Sequence, residues 1–250
     1  MKDYFSGHAK NYATFRPTYP DELYAFILEH VAHKRYAWDC GTGNGQVAGR
    51  LAAHFEYVEA SDISQKQIEQ APQVENIRYH VSPAEATPFP DNRFDLITVA
   101  QALHWFDLEK FYDEVKRVAT DGAVIAVWGY GLNTVNPAID NLMLDFYSNT
   151  TGPYWDPARR LVETRYEELP FPFGTIPFPG FNIKVEWNLH DYIGYLRTWS
   201  ATQAYIRATA VDPTVDLFEQ MKKFWEPQIP KTVTFPVFGR MGRVGDVRPT

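Results

Sequence analysis

The chain has 250 residues, 45% of them hydrophobic and 22% charged, with a formal net charge of −7; that acidic balance argues against a non-specific grip on nucleic-acid phosphates, which needs a basic face. A single cysteine, Cys40, excludes an intrachain disulfide and a multi-cysteine metal centre and fits a cytoplasmic setting. No apolar run approaches the about 18 residues of a membrane helix, the polar start MKDYFSGHAK has no signal-peptide core, and the seven histidines show no ligand spacing, so neither a membrane nor a metal is expected.

Taken in chain order, 21–33 reads as a helix, with Leu23, Phe26, Ile27 and Val31 on one face behind the start signals Pro20 and Asp21. RYAWDC is a short strand and NGQVAGRLAAHF a helix, with Val47, Leu51 and Phe55 four apart. YVEASD is the next strand, followed by the helix SQKQIEQAP, with Ser64 as cap and Pro72 as stop. IRYHVS is a strand, and FDLITVA is apolar almost throughout, as a parallel strand covered on both faces should be. The helix LEKFYDEVKRVA stops near Gly122, and AVIAVWGY is another buried strand. Such alternation implies a parallel sheet with helices on both faces, whose ligands sit at the C-terminal strand ends.

Beyond Gly131 the pattern changes. NPAIDNLMLDFYSN and DPARRLVETRYEEL look helical, FPFGTIPFPGF reads as a loop or lid, and KVEWNLH as a strand. DYIGYLRTWSATQAYIRA and PTVDLFEQMKKFWEP are helical, and KTVTFPVFGRMGRV ends the pattern as a strand whose Pro236 suggests an edge or a bulge.

The first strand runs into DCGTGNG, where Gly41, Gly43 and Gly45 follow Asp39. Glycine costs roughly 0.5–1 kcal/mol against alanine inside an element, so the cluster needs a sharp turn or a ligand close to the backbone. A dinucleotide fingerprint would place its third glycine at 46, where this chain has Gln46. Asp62 ends the second strand, where a carboxylate can accept hydrogen bonds from a ribose diol.

Asp39 with G-x-G-x-G, then Asp62, then SPAEATPFPDNRFDLITVAQALHWFD together resemble the class I S-adenosylmethionine-dependent methyltransferases. The phrases YATFRPTYPDEL, AQALHWFD, YLRTWSATQAYI and TFPVFGRMGR resemble the branch that includes trans-aconitate methyltransferase-like proteins. The resemblance implies an α/β, Rossmann-like, seven-stranded, mostly parallel sheet with helices on both faces and a helical, aromatic insertion over the C-terminal strand ends. It implies one domain: a segment over the site (1–20), a cofactor-binding core (21–131), a cap insertion (132–182) and the C-terminal part of the sheet (183–250). S-adenosyl-L-methionine would meet Asp39, Gly41, Thr42, Gly43, Gly45, Asp62, Ile63, Ala84, Glu85, Ala100 and Gln101. The acidic side chain that often meets the adenine amino group falls at Pro83, leaving the Ala84 N–H and Glu85 for that part.

The acceptor is expected to be a small molecule, with no nucleic acid and no membrane as partner. An ionised carboxylate needs no base, whereas an amine or hydroxyl does, and the fourth strand ends in Ala100-Gln101-Ala102-Leu103 without the N/D-P-P-Y pattern that serves amino acceptors. Arginine binds a carboxylate through paired hydrogen bonds, so Arg16 and Arg197 are the first cations expected at an acid substrate, with Tyr12, Tyr19 and Trp105 beside them. His104 and Trp105 follow the fourth strand and should line the transfer site, His104 as a candidate base. Arg159, Arg160 and Arg165, near Glu163, Glu167 and Glu168, read as exposed ion pairs. A nicotinamide-dependent oxidoreductase and a non-catalytic S-adenosylmethionine-binding protein are the alternatives; Gln46 and the 84–106 stretch speak against the first.

Overall fold

The computed structural model describes residues 17–245. Eight strands form one sheet: β1 (Tyr36–Cys40), β2 (Tyr57–Asp62), β3 (Ile77–Val81), β4 (Phe94–Ala100), β5 (Ala119–Tyr130), β6 (Gly174–Ile176), β7 (Phe181–Trp187) and β8 (Lys231–Arg243). The order is β3-β2-β1-β4-β5-β8, with β6 and β7 both on the far side of β8. The first five strands are parallel, and β8 runs antiparallel to β5, β6 and β7. The expected seven positions are therefore present, and the eighth strand arises because the last position is shared. β7 pairs with 231–237 of β8 and β6 with 241–243.

Alternating side chains show why the central strands read as nearly continuous apolar runs. Leu96, Val124, Ala126 and Trp128 enter one core, while Ile97, Ile125 and Val127 enter the other. Helices α1 (Asp21–Glu29) and α2 (Gln46–Leu51) cover the first face through Leu23, Ile27, Val47 and Leu51. After α3 (Gln65–Ile68), helix α4 (Leu108–Val118) covers the second with Phe111, Tyr112, Val115 and Val118, spaced one, three and three apart. Strand order reverses between β1 and its neighbours β2 and β4, which opens a crevice at their C-terminal ends.

Further helices are α5 (Pro137–Asp145), α6 (Arg159–Glu163), α7 (Leu189–Arg197), α8 (Ser200–Thr209) and α9 (Thr214–Met221). Helix α9 packs on both α5 and α7, so the helical layer draws on the stretch read as a cap and on the stretch after it. Asn136 caps α5, and Asn188 with Asp191 forms a capping box on α7.

Four expectations change. FPFGTIPFPGF is a packing segment: it contains β6, Phe171 and Phe173 pack on Tyr112, and Phe178 packs on Phe26. The helix expected over 156–169 is confined to α6, because Arg165 and Tyr166 adopt left-handed φ values of 54° and 61°. Ser64 stands at the start of α3 without a side-chain cap bond; its N–H donates to Asp62 Oδ1 at 2.8 Å. Pro236 lies on an interior strand. Its carbonyl accepts from the Gly131 N–H at 2.9 Å, and a strand residue's N and O point the same way, so the missing N–H faces the side where β5 has just ended at Tyr130.

Candidate active site

Asp39, at the end of β1, is 1% exposed. Its carboxylate accepts from the Thr42 hydroxyl at 2.5 Å and the Ala48 N–H at 3.1 Å through Oδ2, and from the Thr98 hydroxyl at 2.9 Å through Oδ1. It thus ties the loop, the start of α2 and β4 together. Burial raises its pKa to about 6, against the hydrogen bonds from Thr42, Thr98 and Ala48.

The three glycines turn left-handed, with φ of 68°, 56° and 78°, but for different reasons. A Cβ at Gly41 would sit 2.6 Å from Ala102 Cβ, and one at Gly45 would sit 2.7 Å from the Tyr79 hydroxyl. A Cβ at Gly43 would meet nothing within 4 Å: it would project into open space. The Gly43 N–H donates to Asp62 Oδ2 at 2.8 Å, which fixes the carboxylate at the end of β2 beside the loop.

That open space is a cleft at the C-terminal ends of β1, β2 and β4. It is lined by Asp39, Gly41, Thr42, Gly43, Asp62, Ile63, Ala84, Ala100 and Gln101, and also by Tyr19 and Trp105. Ser82 and Gln67, which the sequence had not singled out, join them. A second, smaller cavity adjoins it and shares Gln101, Trp105 and Tyr130 with it. Its remaining wall is His104, Trp155, Asp156, Arg159, Tyr195, Trp199 and Ser200. Gln101 marks the junction: its φ is 53°, and its side-chain amide donates to the Tyr130 carbonyl at 3.2 Å. Left-handed backbone at a residue other than glycine costs of order 1–3 kcal/mol and clusters at functional sites.

Arg159 lies over the Trp155 ring at 5.0 Å and donates through Nε to the Tyr147 hydroxyl at 3.2 Å. Its expected ion pairs do not form: Arg160 takes Glu168, and Glu163 accepts from the Tyr147 hydroxyl. Asp156, in the same wall, accepts from the Ala158 N–H at 2.9 Å. His104 Nδ1 is 2.9 Å from the Tyr166 hydroxyl. Burial first, then the Arg159 charge, lowers the His104 pKa to about 3, with Asp156 opposing, so the ring is neutral at pH 7.

Residues 38–127 match a family model described as a methyltransferase domain. A Dictyostelium discoideum protein named as a methyltransferase is 35% identical over 94% of this chain and 93% of its own. The chain belongs to the class I S-adenosylmethionine-dependent methyltransferases. A solved structure described as a type II methyltransferase from Anaeromyxobacter dehalogenans is 40% identical, covers 92% of this chain and 98% of its own, and superposes with a TM-score of 0.85. The YcgJ protein of Bacillus subtilis, at 18% identity and a TM-score of 0.52 over 89% and 97% of the two chains, shares the fold. The nicotinamide and non-catalytic readings gain nothing from these relatives.

Two observations fit the methyltransferase's cofactor to the larger cleft. The space beside Gly43 allows a ligand to reach the main chain. Gln67 Oε1 is buried in the cleft wall with no hydrogen-bond partner among the described residues, an acceptor still to be satisfied.

Not every expected residue comes to these cavities. Gly45 starts α2 from behind the cleft wall. Glu85 is absent from the wall, and its Oε1 accepts from the Asp107 N–H at 2.9 Å. Arg197 lies outside both cavities: its Nε pairs with Asp212 at 2.8 Å, and its side chain is 56% exposed. Tyr12 and Arg16 fall outside the described residues. Tyr195 and Trp199 gave no signal beyond being aromatic residues in a helical stretch, Trp155 fell in the connection between two such stretches, and Arg159 was hidden by its acidic neighbours.

Proposed function

We propose that this methyltransferase transfers a methyl group to an oxygen of a small carboxylic acid held in the cavity that adjoins the cofactor cleft. One observation carries the reading. Arg159 stands in that cavity's wall with no carboxylate pairing with it among the described residues, where a guanidinium can take an anionic oxygen pair. The resemblance to the trans-aconitate methyltransferase-like branch points to the same acceptor class, and the cytoplasmic setting read from the lone cysteine belongs to the same proposal.

In this reading the main chain at Gly41 and Gly43 and the carboxylate of Asp62 hold the adenosyl and methionine parts, with Ala84 and Gln67 toward the base. Bound S-adenosylmethionine supplies a methyl on a positively charged sulfur; transfer breaks that C–S bond, forms an O–C bond and cancels the sulfonium and carboxylate charges with no proton to move. Gln101, Trp105 and Tyr130, common to both cavities, frame the only wall the two share among the described residues. Their task is to align acceptor and donor and to exclude water.

The test is incubation with methyl-labelled cofactor and a panel of small mono-, di- and tricarboxylic acids, phenols and amines. Label in an alkali-labile methyl ester is the expected outcome. Label confined to amines or phenols overturns the acid reading.

A further inference from the structure

We infer that Tyr166 locks His104 into the tautomer that carries its hydrogen on Nε2, making the ring a hydrogen-bond donor to the acceptor and denying it the part of a general base. The inference rests on the reading that the second cavity receives the acceptor.

The argument begins with a proton that must go somewhere. Tyr166 is fully buried, and a buried phenol O–H needs an acceptor. Its hydroxyl lies 2.9 Å from His104 Nδ1, and the only other group that bonds it among the described residues is the His104 main-chain N–H, which can only donate. The groups around it offer no alternative. Phe238 packs edge-on at 5.3 Å, and Arg240 has only donors, which go to the Tyr166 and Leu169 carbonyls. The Tyr112 hydroxyl is turned to the Pro170 carbonyl at 2.9 Å. The phenol therefore donates to Nδ1, Nδ1 supplies its lone pair, and the ring hydrogen resides on Nε2.

The backbone supports this assignment. Arg165 and Tyr166 are both left-handed, which is unfavourable for side chains of this size, and the turn they make ends α6 and carries the phenol against His104. Nε2, on the opposite edge of the ring, makes no hydrogen bond to a described residue, yet it is not among the sealed, unpartnered side-chain atoms. It opens on the cavity that His104 lines.

The charged and titratable groups facing the ring are Arg159, Asp156 and Tyr166. Arg159 opposes protonation and Asp156 favours it, with burial siding with Arg159. His104 thus presents one face chemistry throughout the working pH range: an N–H beside the Arg159 guanidinium. Two donors on one wall suit the two oxygens of a carboxylate, and neither can take a proton from an amine or a neutral alcohol. Tyr166 never touches the acceptor; it acts as a positioning residue through His104.

Nitrogen-15 spectra of histidine-labelled protein, recorded without acceptor, test the tautomer directly. The expected result is a neutral ring with hydrogen on Nε2 and no titration from about pH 8 down to about pH 5; in Tyr166→Phe the single tautomer gives way to a mixture. Hydrogen on Nδ1 in the wild-type protein overturns the inference. Kinetics supply a second arm. His104→Gln, whose amide can place an N–H where Nε2–H stood, should keep kcat/KM within about threefold, while His104→Ala should lose about 10- to 100-fold, mostly through KM. A Gln variant as poor as the Ala variant, or a kcat that follows a single ionisation lost on His104 replacement, identifies a base and overturns the inference. The spectra do not depend on the acceptor, so a wrong acceptor class fails the panel while leaving the tautomer intact.

Discussion

The cleft at the strand ends is lined by glycine, alanine, serine and two carboxylates beside four aromatic rings, whereas the wall that belongs to the adjoining cavity alone is mostly tryptophan, tyrosine, histidine and arginine. The first comes chiefly from the segments that follow β1, β2, β3 and β4, joined by Tyr19 and Tyr130; the second draws on α6, α7, the start of α8 and the turn after β4. On the proposed reading the cofactor goes to the glycine-loop cleft and the acceptor to the side-chain-walled cavity, so the wall that would select the acceptor can change without disturbing the sheet.

The comparison can be broken or sharpened by experiment. The largest effect concerns protonation. Asp39, buried by the cleft, has a pKa raised to about 6 from the ordinary 3.8. The folded state therefore keeps a proton that the unfolded chain releases. This contribution is fully present below about pH 4 and is lost as pH rises to about 6, a fall of up to about 3 kcal/mol. The stability of wild-type protein relative to Asp39→Asn, read from denaturant midpoints, should fall by that amount as pH rises across the window. His104, across the shared wall, opposes that slope. Its pKa falls from the ordinary 6.5 to about 3, so across the same window the unfolded chain holds a proton the folded ring does not, and this contribution grows as pH rises.

Next, Gly43→Ala puts a methyl into the space beside the loop. Cofactor affinity, read by calorimetry, should fall by about 10- to 100-fold, while left-handed strain lowers folding stability by only about 1–2 kcal/mol. Unchanged affinity would remove the ligand from this loop. Smaller again, Arg159→Met should raise KM for the acid acceptor by about 10- to 30-fold and leave cofactor affinity untouched. If both affinities fall together, the two regions are not separable. Smallest of all, Arg197→Met should cost under about 1 kcal/mol of stability, since its pair with Asp212 is exposed, and should not move KM.

The same contrast explains what could be read from the residues alone. The parallel core was legible because short strand-like stretches, the apolar FDLITVA above all, alternate with helical ones between turn signals, and the cleft because Asp39, three glycines and Asp62 fall within 24 positions. Local chemistry left a local trace. Arg159 could not be distinguished from Arg160, since only the tertiary arrangement gives Glu163 to Tyr147 and Glu168 to Arg160. Tyr166 was invisible for a related reason. Nothing in RYEEL announces two left-handed residues, and its partner His104 is 62 positions away. The split seventh position was missed because a three-residue strand between proline and phenylalanine carries no periodicity.

The placement of β8 has a consequence for how the chain comes into being. Among the described residues every neighbour of β8 precedes it along the polypeptide, and β6 and β7 pair with nothing else. During synthesis the flank of β5 therefore waits bare, an adhesive border open to other nascent chains, until residues 231–243 leave the ribosome and slide in. Folding of this protein should accordingly be slow to commit, and most vulnerable to aggregation in the interval just before that last insertion.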